Sequence, residues 1–130
     1  MSTDPGFETR FTQHPLVAQI DEAAATAAED DPRPFLDILR RHALTLRFVT
    51  PTPDGGFAYS APWREALGWL SAIGGADLST ARLFEGHLNA LQLVSLYGTA
   101  AQQRETLDKV RDGAFLGVWG ADGAEPARLV

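Results

Sequence analysis

At 130 residues, 45% of them apolar, the chain can build one packed domain without metal or disulfide staples. It contains no cysteine, which excludes zinc-ribbon, thioredoxin-type and cysteine-nucleophile chemistry and leaves no need for an oxidising compartment. The formal charge of −6, with only eleven lysines and arginines scattered along the chain, excludes a nucleic-acid footprint, so the expectation is a cytoplasmic protein with no membrane insertion.

Residues 1–13 show no sustained hydrophobic period and include Pro5 and Gly6, so they are expected to form a loosely ordered lead-in, without the basic-then-apolar layout of a secretory signal. From Pro15 onward, Leu16, Val17, Ile20, Ala24 and Ala27 predict a first helix, with Pro15 at the first position, where a missing N–H costs nothing. The run Glu29, Asp30, Asp31 ends it, because negative charge is unfavourable at a helix C-terminus and Pro32 and Pro34 follow. Asp31 can cap a short second helix through Phe35, Leu36, Ile38, Leu39 and His42, with Arg40 and Arg41 suited to its C-terminal end. Leu44 to Val49 prefers an extended conformation. The following TPTPDGGF is a turn, with Pro51 and Pro53 restricting φ, Asp54 able to bond its own backbone, and Gly55 and Gly56 allowing positive φ.

A third helix is expected from Ser60 as cap, with Pro62 in its first turn, Trp63, Ala66, Leu67 and Leu70 facing inward, and Gly74 and Gly75 ending it. A very short connection leads into the longest helical stretch, Ala76 to Gly98, which Asp77 or Ser79 can cap and which Gly98 can close in a left-handed conformation. Phe84, Leu88 and Leu91 fall on one side of it, and Leu83, Ala90, Val94 and Tyr97 on another, which predicts a helix inside a bundle. Arg82, Glu85, Gly86 and Asn89 recur at i, i+3, i+4 and i+7 and form a polar strip. A buried polar group without a partner costs about 1–3 kcal/mol, so this strip must face water, another chain segment or a ligand, or else close on itself through an Arg82–Glu85 pair and an Asn89 amide bond.

A fifth helix, capped by Thr99 and running to about Val110, places Ala101, Leu107 and Val110 inward and Gln102, Gln103, Arg104, Glu105, Asp108 and Lys109 outward, and Asp112–Gly113 stops it. Ala114 to Trp119, AFLGVW, then has the composition of a strand. A lone strand leaves its N–H and C=O groups unpaired, so this segment is expected to be the first strand of a further β-domain. The expected fold is therefore all-α: a bundle of about five helices over residues 14–113, with a short β segment over 114–130.

Few other constellations carry chemistry. His14, His42 and His87 lack the i, i+4 spacing of helical metal sites, and His87 is expected to be solvated or at the core edge. The Gly-Gly pairs match neither phosphate-binding fingerprint, and no serine sits in a GxSxG setting. Glu85 beside Arg82 would have its pKa lowered, which makes it a poor general base. The three tryptophans are not interleaved with basic residues and are expected to pack rather than to stack on nucleic acid.

Two segments, LFEGHLNALQLVSLYGTAAQ at 83–102 and GAFLGVWGAD at 113–122, together with LTLRFVTPTPDGGF, resemble the acyl-CoA dehydrogenase superfamily where its N-terminal helical domain passes into its middle β-domain. The resemblance covers about residues 35 to 122. It implies an oligomeric flavoprotein, including a possible homo-oligomer, that carries out FAD-dependent α,β-dehydrogenation of acyl-CoA thioesters. The β-domain and the C-terminal helical domain would then be partners of the present residues. In that family the long helix lines the acyl cavity, which implies lining roles for Arg82, Glu85 and Asn89. The flavin-contacting turn maps to Val118, Gly120 and Ala121, with Ala121 standing where the family has threonine and Asp122 where it has glutamate. The family's catalytic glutamate and most of its FAD contacts lie in later domains, so no catalytic residue and no turnover are expected of these residues alone. A non-catalytic helical binding or assembly module, and the helical domain of a related flavin-dependent monooxygenase, are the alternatives.

Overall fold

The computed structural model describes residues 5–28 and 30–118, with side chains described from residue 9 onward. Six helices and one hairpin follow in order among these residues: α1 (Pro5–Thr12), α2 (Pro15–Thr26), α3 (Arg33–Arg41), β1 (Val49–Pro51), β2 (Phe57–Tyr59), α4 (Trp63–Ala76), α5 (Leu78–Tyr97) and α6 (Ala100–Arg111), with a single 3₁₀ turn at Leu44–Leu46. The fold is all-α with a small antiparallel sheet in which Val49, Thr50 and Pro51 pair with Tyr59, Ala58 and Phe57. No helix among the described residues is long and apolar enough to cross a membrane.

The lead-in is not loosely ordered between Pro5 and Thr12. Residues Pro5–Thr12 form a helix, and its Phe11 is 3% exposed within the main core. Among the side chains described in this segment, Phe11 is the one that enters the core, and an anchor of that kind needs no long hydrophobic period. The Phe11 ring meets Trp69 edge-on at 5.0 Å and lies over Gly68, where an added Cβ would come within 2.5 Å of it. Next comes His14, whose extended backbone and ring Nδ1 cap α2 by accepting the Leu16 N–H at 3.2 Å, with Pro15 at the first helical position as expected. Asp31 accepts the Arg33 N–H at 3.1 Å and pairs with its guanidinium, which sets the start of α3.

The hairpin explains why Leu44 to Val49 is not one extended run. Ala43 takes a left-handed φ of 58°, the chain turns through Leu44–Leu46, and only Val49–Pro51 extends. Gln103 of α6 then reaches inward, against expectation: its Oε1 accepts the Phe57 N–H at 3.3 Å, while its Nε2 donates to the Ser95 carbonyl at 3.2 Å. Ala101, expected inside, is exposed.

Three boundaries also differ. Pro62, not Ser60, flanks the start of α4, and no side chain caps it. Gly74 and Gly75 lie inside α4, which runs on to Ala76 because Asp77 rather than the glycines redirects the chain. Asp77 donates its N–H to Ile73 at 2.7 Å, and its carboxylate accepts from the Thr80 N–H at 2.9 Å and the Thr80 hydroxyl at 2.6 Å, so one residue ends α4 and begins α5. Gly98 closes α5 in an extended conformation, φ −73°, and is required there for clearance, since a Cβ would sit 2.6 Å from the Val94 carbonyl oxygen. Thr99 caps α6 through a reciprocal box with Gln102.

Two apolar clusters result. The larger joins α1 to α5 through residues such as Phe11, Leu16, Ile20, Leu39, Ile73 and Phe84, and the smaller joins the hairpin to α5 and α6 through Phe57, Leu91, Leu107 and Val110. Substituting Gly68→Ala would drive a methyl group into the Phe11 ring, and urea denaturation is expected to show a loss of about 1–3 kcal/mol. An unchanged midpoint would mean that α1 does not dock over Gly68.

Candidate functional site

α5 is a 20-residue helix that buries one face only. Thr80, Ala81, Phe84, His87, Leu88 and Leu91 turn into the core, and each is less than 9% exposed. Of the second apolar face, Ala90 is buried and Val94 packs on the smaller cluster as expected, but Leu83 and Tyr97 are exposed, Tyr97 at 81%, and Leu78, Leu93 and Leu96 join them in water.

Along this open face run Arg82, Glu85 and Asn89, all exposed. Beside them lies Gly86, with nothing within 4 Å of where its Cβ would be. The strip does not close on itself. Ion pairs among the described residues join Arg33 to Asp31, Arg40 to Asp37, Arg47 to Glu65 and Lys109 to Glu105, and none engages Arg82 or Glu85. No hydrogen bond to the Asn89 amide is present among the described residues. Exposure removes the desolvation cost that an interior strip would carry, so these side chains are held ready without internal partners.

The strip connects two open clefts without converging on either. At its N-terminal end Arg82 and Leu83 border a cleft of 540 Å³ with Phe35, Asp77 and the Asp30–Asp31 turn. Beyond its C-terminal end, Leu93, Val94 and Tyr97 border a cleft of 500 Å³ with Thr106 of α6 and Leu116, and the Lys109–Glu105 pair sits at its rim. Glu85 and Asn89 lie on the ridge between them. The result is an amphipathic surface with a charged middle and an apolar end, suited to being covered by a further surface or a ligand.

His87 is the residue that sequence reasoning placed wrongly. It is 0% exposed, its ring Nε2 lies 2.8 Å from the Thr45 carbonyl, and its Nδ1 accepts the Leu116 N–H at 3.0 Å. A carbonyl only accepts, so Nε2 carries the hydrogen and the ring is neutral. Phe115 lies against the ring, centroids 4.4 Å apart. Burial pushes the His87 pKa below its ordinary value of 6.5, against the opposing effect of the Thr45 carbonyl bond. The signal was present in the sequence: His87 lies three residues after Phe84 and four before Leu91, on the buried stripe.

The other two histidines lie together. His14 meets His42 and Trp69 edge-on, each at 5.1 Å, and His42 Nε2 is 2.8 Å from Gln19 Oε1. Burial, then the charge on His42, lowers the His14 pKa. No group of three potential metal ligands gathers among the described residues.

The expected strand at 114–119 is corrected for the residues described. Ala114 to Val118 form no strand; the chain runs back over the helices, Phe115 against the larger core cluster and Leu116 against the smaller one. Of the three expected flavin contacts only Val118 is described, and it is exposed and apolar; Gly120, Ala121 and Trp119 lie outside the described residues.

No family model, no curated protein and no solved structure matches this chain. Because Arg82, Glu85 and Asn89 are exposed and make no hydrogen bond or ion pair among the described residues, replacing each with alanine is expected to change the stability of the isolated chain by less than about 0.5 kcal/mol in urea denaturation. A loss of about 2 kcal/mol at any one of them would reveal a structural role instead.

Proposed function

We propose that these residues form the helical wall of an acyl-CoA dehydrogenase-like flavoprotein, with the open face of α5 bordering the acyl cavity and later domains supplying the flavin site and the catalytic base. The observation that carries this reading is the exposed α5 face, on which Arg82, Glu85 and Asn89 lack internal partners and are followed by Leu93, Leu96 and Tyr97. A helix intended only to brace its own bundle gains nothing from exposing so much apolar surface, whereas a wall completed by another domain or a ligand gains its burial on assembly, at about 25 cal/mol per Å². The order and spacing of the segments at 83–102 and 113–122 support the same family. A catalytic role for Glu85 has no support, because catalysis at a thioester's α-carbon needs a base held against the substrate and this carboxylate is unfixed.

The same exposed face would serve a non-catalytic assembly module or the wall of a flavin-dependent monooxygenase, and the family resemblance decides the preference for dehydrogenation. The test is the chemistry of the natural gene product containing these residues. Purified, it is expected to carry bound FAD and to reduce an artificial electron acceptor only when acyl-CoA is supplied. In it, Arg82→Ala and Asn89→Ala should shift KM between long and short acyl chains by about tenfold while the flavin stays bound. A colourless product inert to acyl-CoA would reject the proposal.

A further inference from the structure

We propose that His87 is a proton-released latch: neutral, it holds the segment 114–118 on the helical body, and protonated, it lets that segment go. This inference is independent of the acyl-CoA reading.

The geometry makes the two sides of the ring unequal. Nε2 donates to the Thr45 carbonyl in both protonation states, so the contact with the turn after α3 survives protonation. Nδ1 is different. It accepts the Leu116 N–H through a lone pair, and a proton on that lone pair sets two donors against each other at 3.0 Å. Among the described residues this is the one hydrogen bond that a backbone group of 115–118 makes, since the Ala114 N–H bonds back to Lys109 within the end of α6. What remains is apolar packing, of Phe115 on the ring and the larger core cluster and of Leu116 on the smaller one, and of these the ring contact goes with the imidazole.

No counter-ion waits for the charged ring. The turn at Leu44–Leu46 and the segment 114–118 bring no ionisable side chain to it. Arg47 beyond the turn is engaged with Glu65 at 2.7 Å, and Arg40 of α3, beside Gly113, is engaged with Asp37. On α6, Glu105, Asp108, Lys109 and Arg111 are exposed, and on α5 itself Arg82 and Glu85 lie on the opposite face. An imidazolium enclosed at 0% exposure without a carboxylate gains most by exposing itself, and the route with fewest contacts to break is displacement of the segment covering it.

The sign follows from linkage. Burial lowers the pKa of the covered ring from its ordinary 6.5, and displacing the segment relieves that burial. The latch is therefore tightest with the ring neutral, and below the pKa of the uncovered ring its opening constant rises by up to about tenfold per pH unit as the pH falls, until the covered ring itself titrates. His14 also accepts a backbone N–H through Nδ1 with a lowered pKa, so acid loosens the start of α2 as well, and the test must separate the two.

Amide hydrogen exchange and imidazole nitrogen shifts, read by NMR on the whole chain from about pH 7.5 to about pH 5, provide the test. The expected result is a loss of Leu116 amide protection of about tenfold per pH unit, tracking the His87 ring titration, while Leu88 and Leu91 in α5 keep theirs. His14→Asn, which retains a helix cap, should leave that loss unchanged. His87→Asn, an acceptor that does not titrate, should make Leu116 protection independent of pH; if this variant does not fold, the wild-type ring titration and the His14→Asn variant decide the matter. Leu116 protection that stays constant through the His87 titration, or that falls only together with Leu88 and Leu91, would overturn the latch, as would a His87→Asn chain with wild-type pH dependence.

Discussion

A neutral imidazole, closed off from water, holds together three stretches of chain that are far apart in sequence. His87 on α5 bonds Thr45, 42 residues earlier, and Leu116, 29 residues later. Without it the Thr45 carbonyl would be a buried acceptor lacking a partner, at a cost of about 1–3 kcal/mol, and the half-buried Leu116 N–H would lose its acceptor. An apolar residue at position 87 could fill the volume but would strand both of them. This is why a polar side chain occupies the middle of a stripe otherwise made of phenylalanine and leucine, and why the smaller core cluster and the chain beyond α6 stay in register with the larger cluster.

The opposite side of the same helix follows the reverse logic. Where the inner face satisfies each polar group, the outer face leaves Arg82, Glu85 and Asn89 in solvent and exposes Leu93, Leu96 and Tyr97 beside them. Solvated charges hold that surface in solution at little cost, and the leucines and tyrosine supply burial when something covers them. The helix thus divides its residues between a face that builds the core and a face left to solvent.

Much of this architecture could be read from the chain. The starts of α2, α5 and α6 were legible because the signals are local chemistry: Pro15 at the first helical position, Asp77 as cap and Thr99 as cap each act within one helical turn. The polar strip was legible because helical period alone places Arg82, Glu85 and Asn89 in line. What failed depended on distant partners. α1 is fixed by Phe11 lying over Gly68, and nothing within residues 1–13 encodes that contact. The strand composition of AFLGVW was overridden between 114 and 118, where Phe115 found a histidine ring and Leu116 an imidazole nitrogen rather than a neighbouring strand. β2 was missed for the related reason that its first N–H is received by Gln103, 46 residues away, on a helix where that side chain was expected to point outward.

The joint at Asp77 has a mechanical consequence. Because a single residue both ends α4 and begins α5, and spends its amide and its carboxylate on opposite sides of the bend, the two longest helices share a rigid elbow. A load placed on α5 would meet little slack at this joint. It would pass through the elbow to α4, whose Trp69 makes the aromatic edge contacts with Phe11 of α1 and with His14.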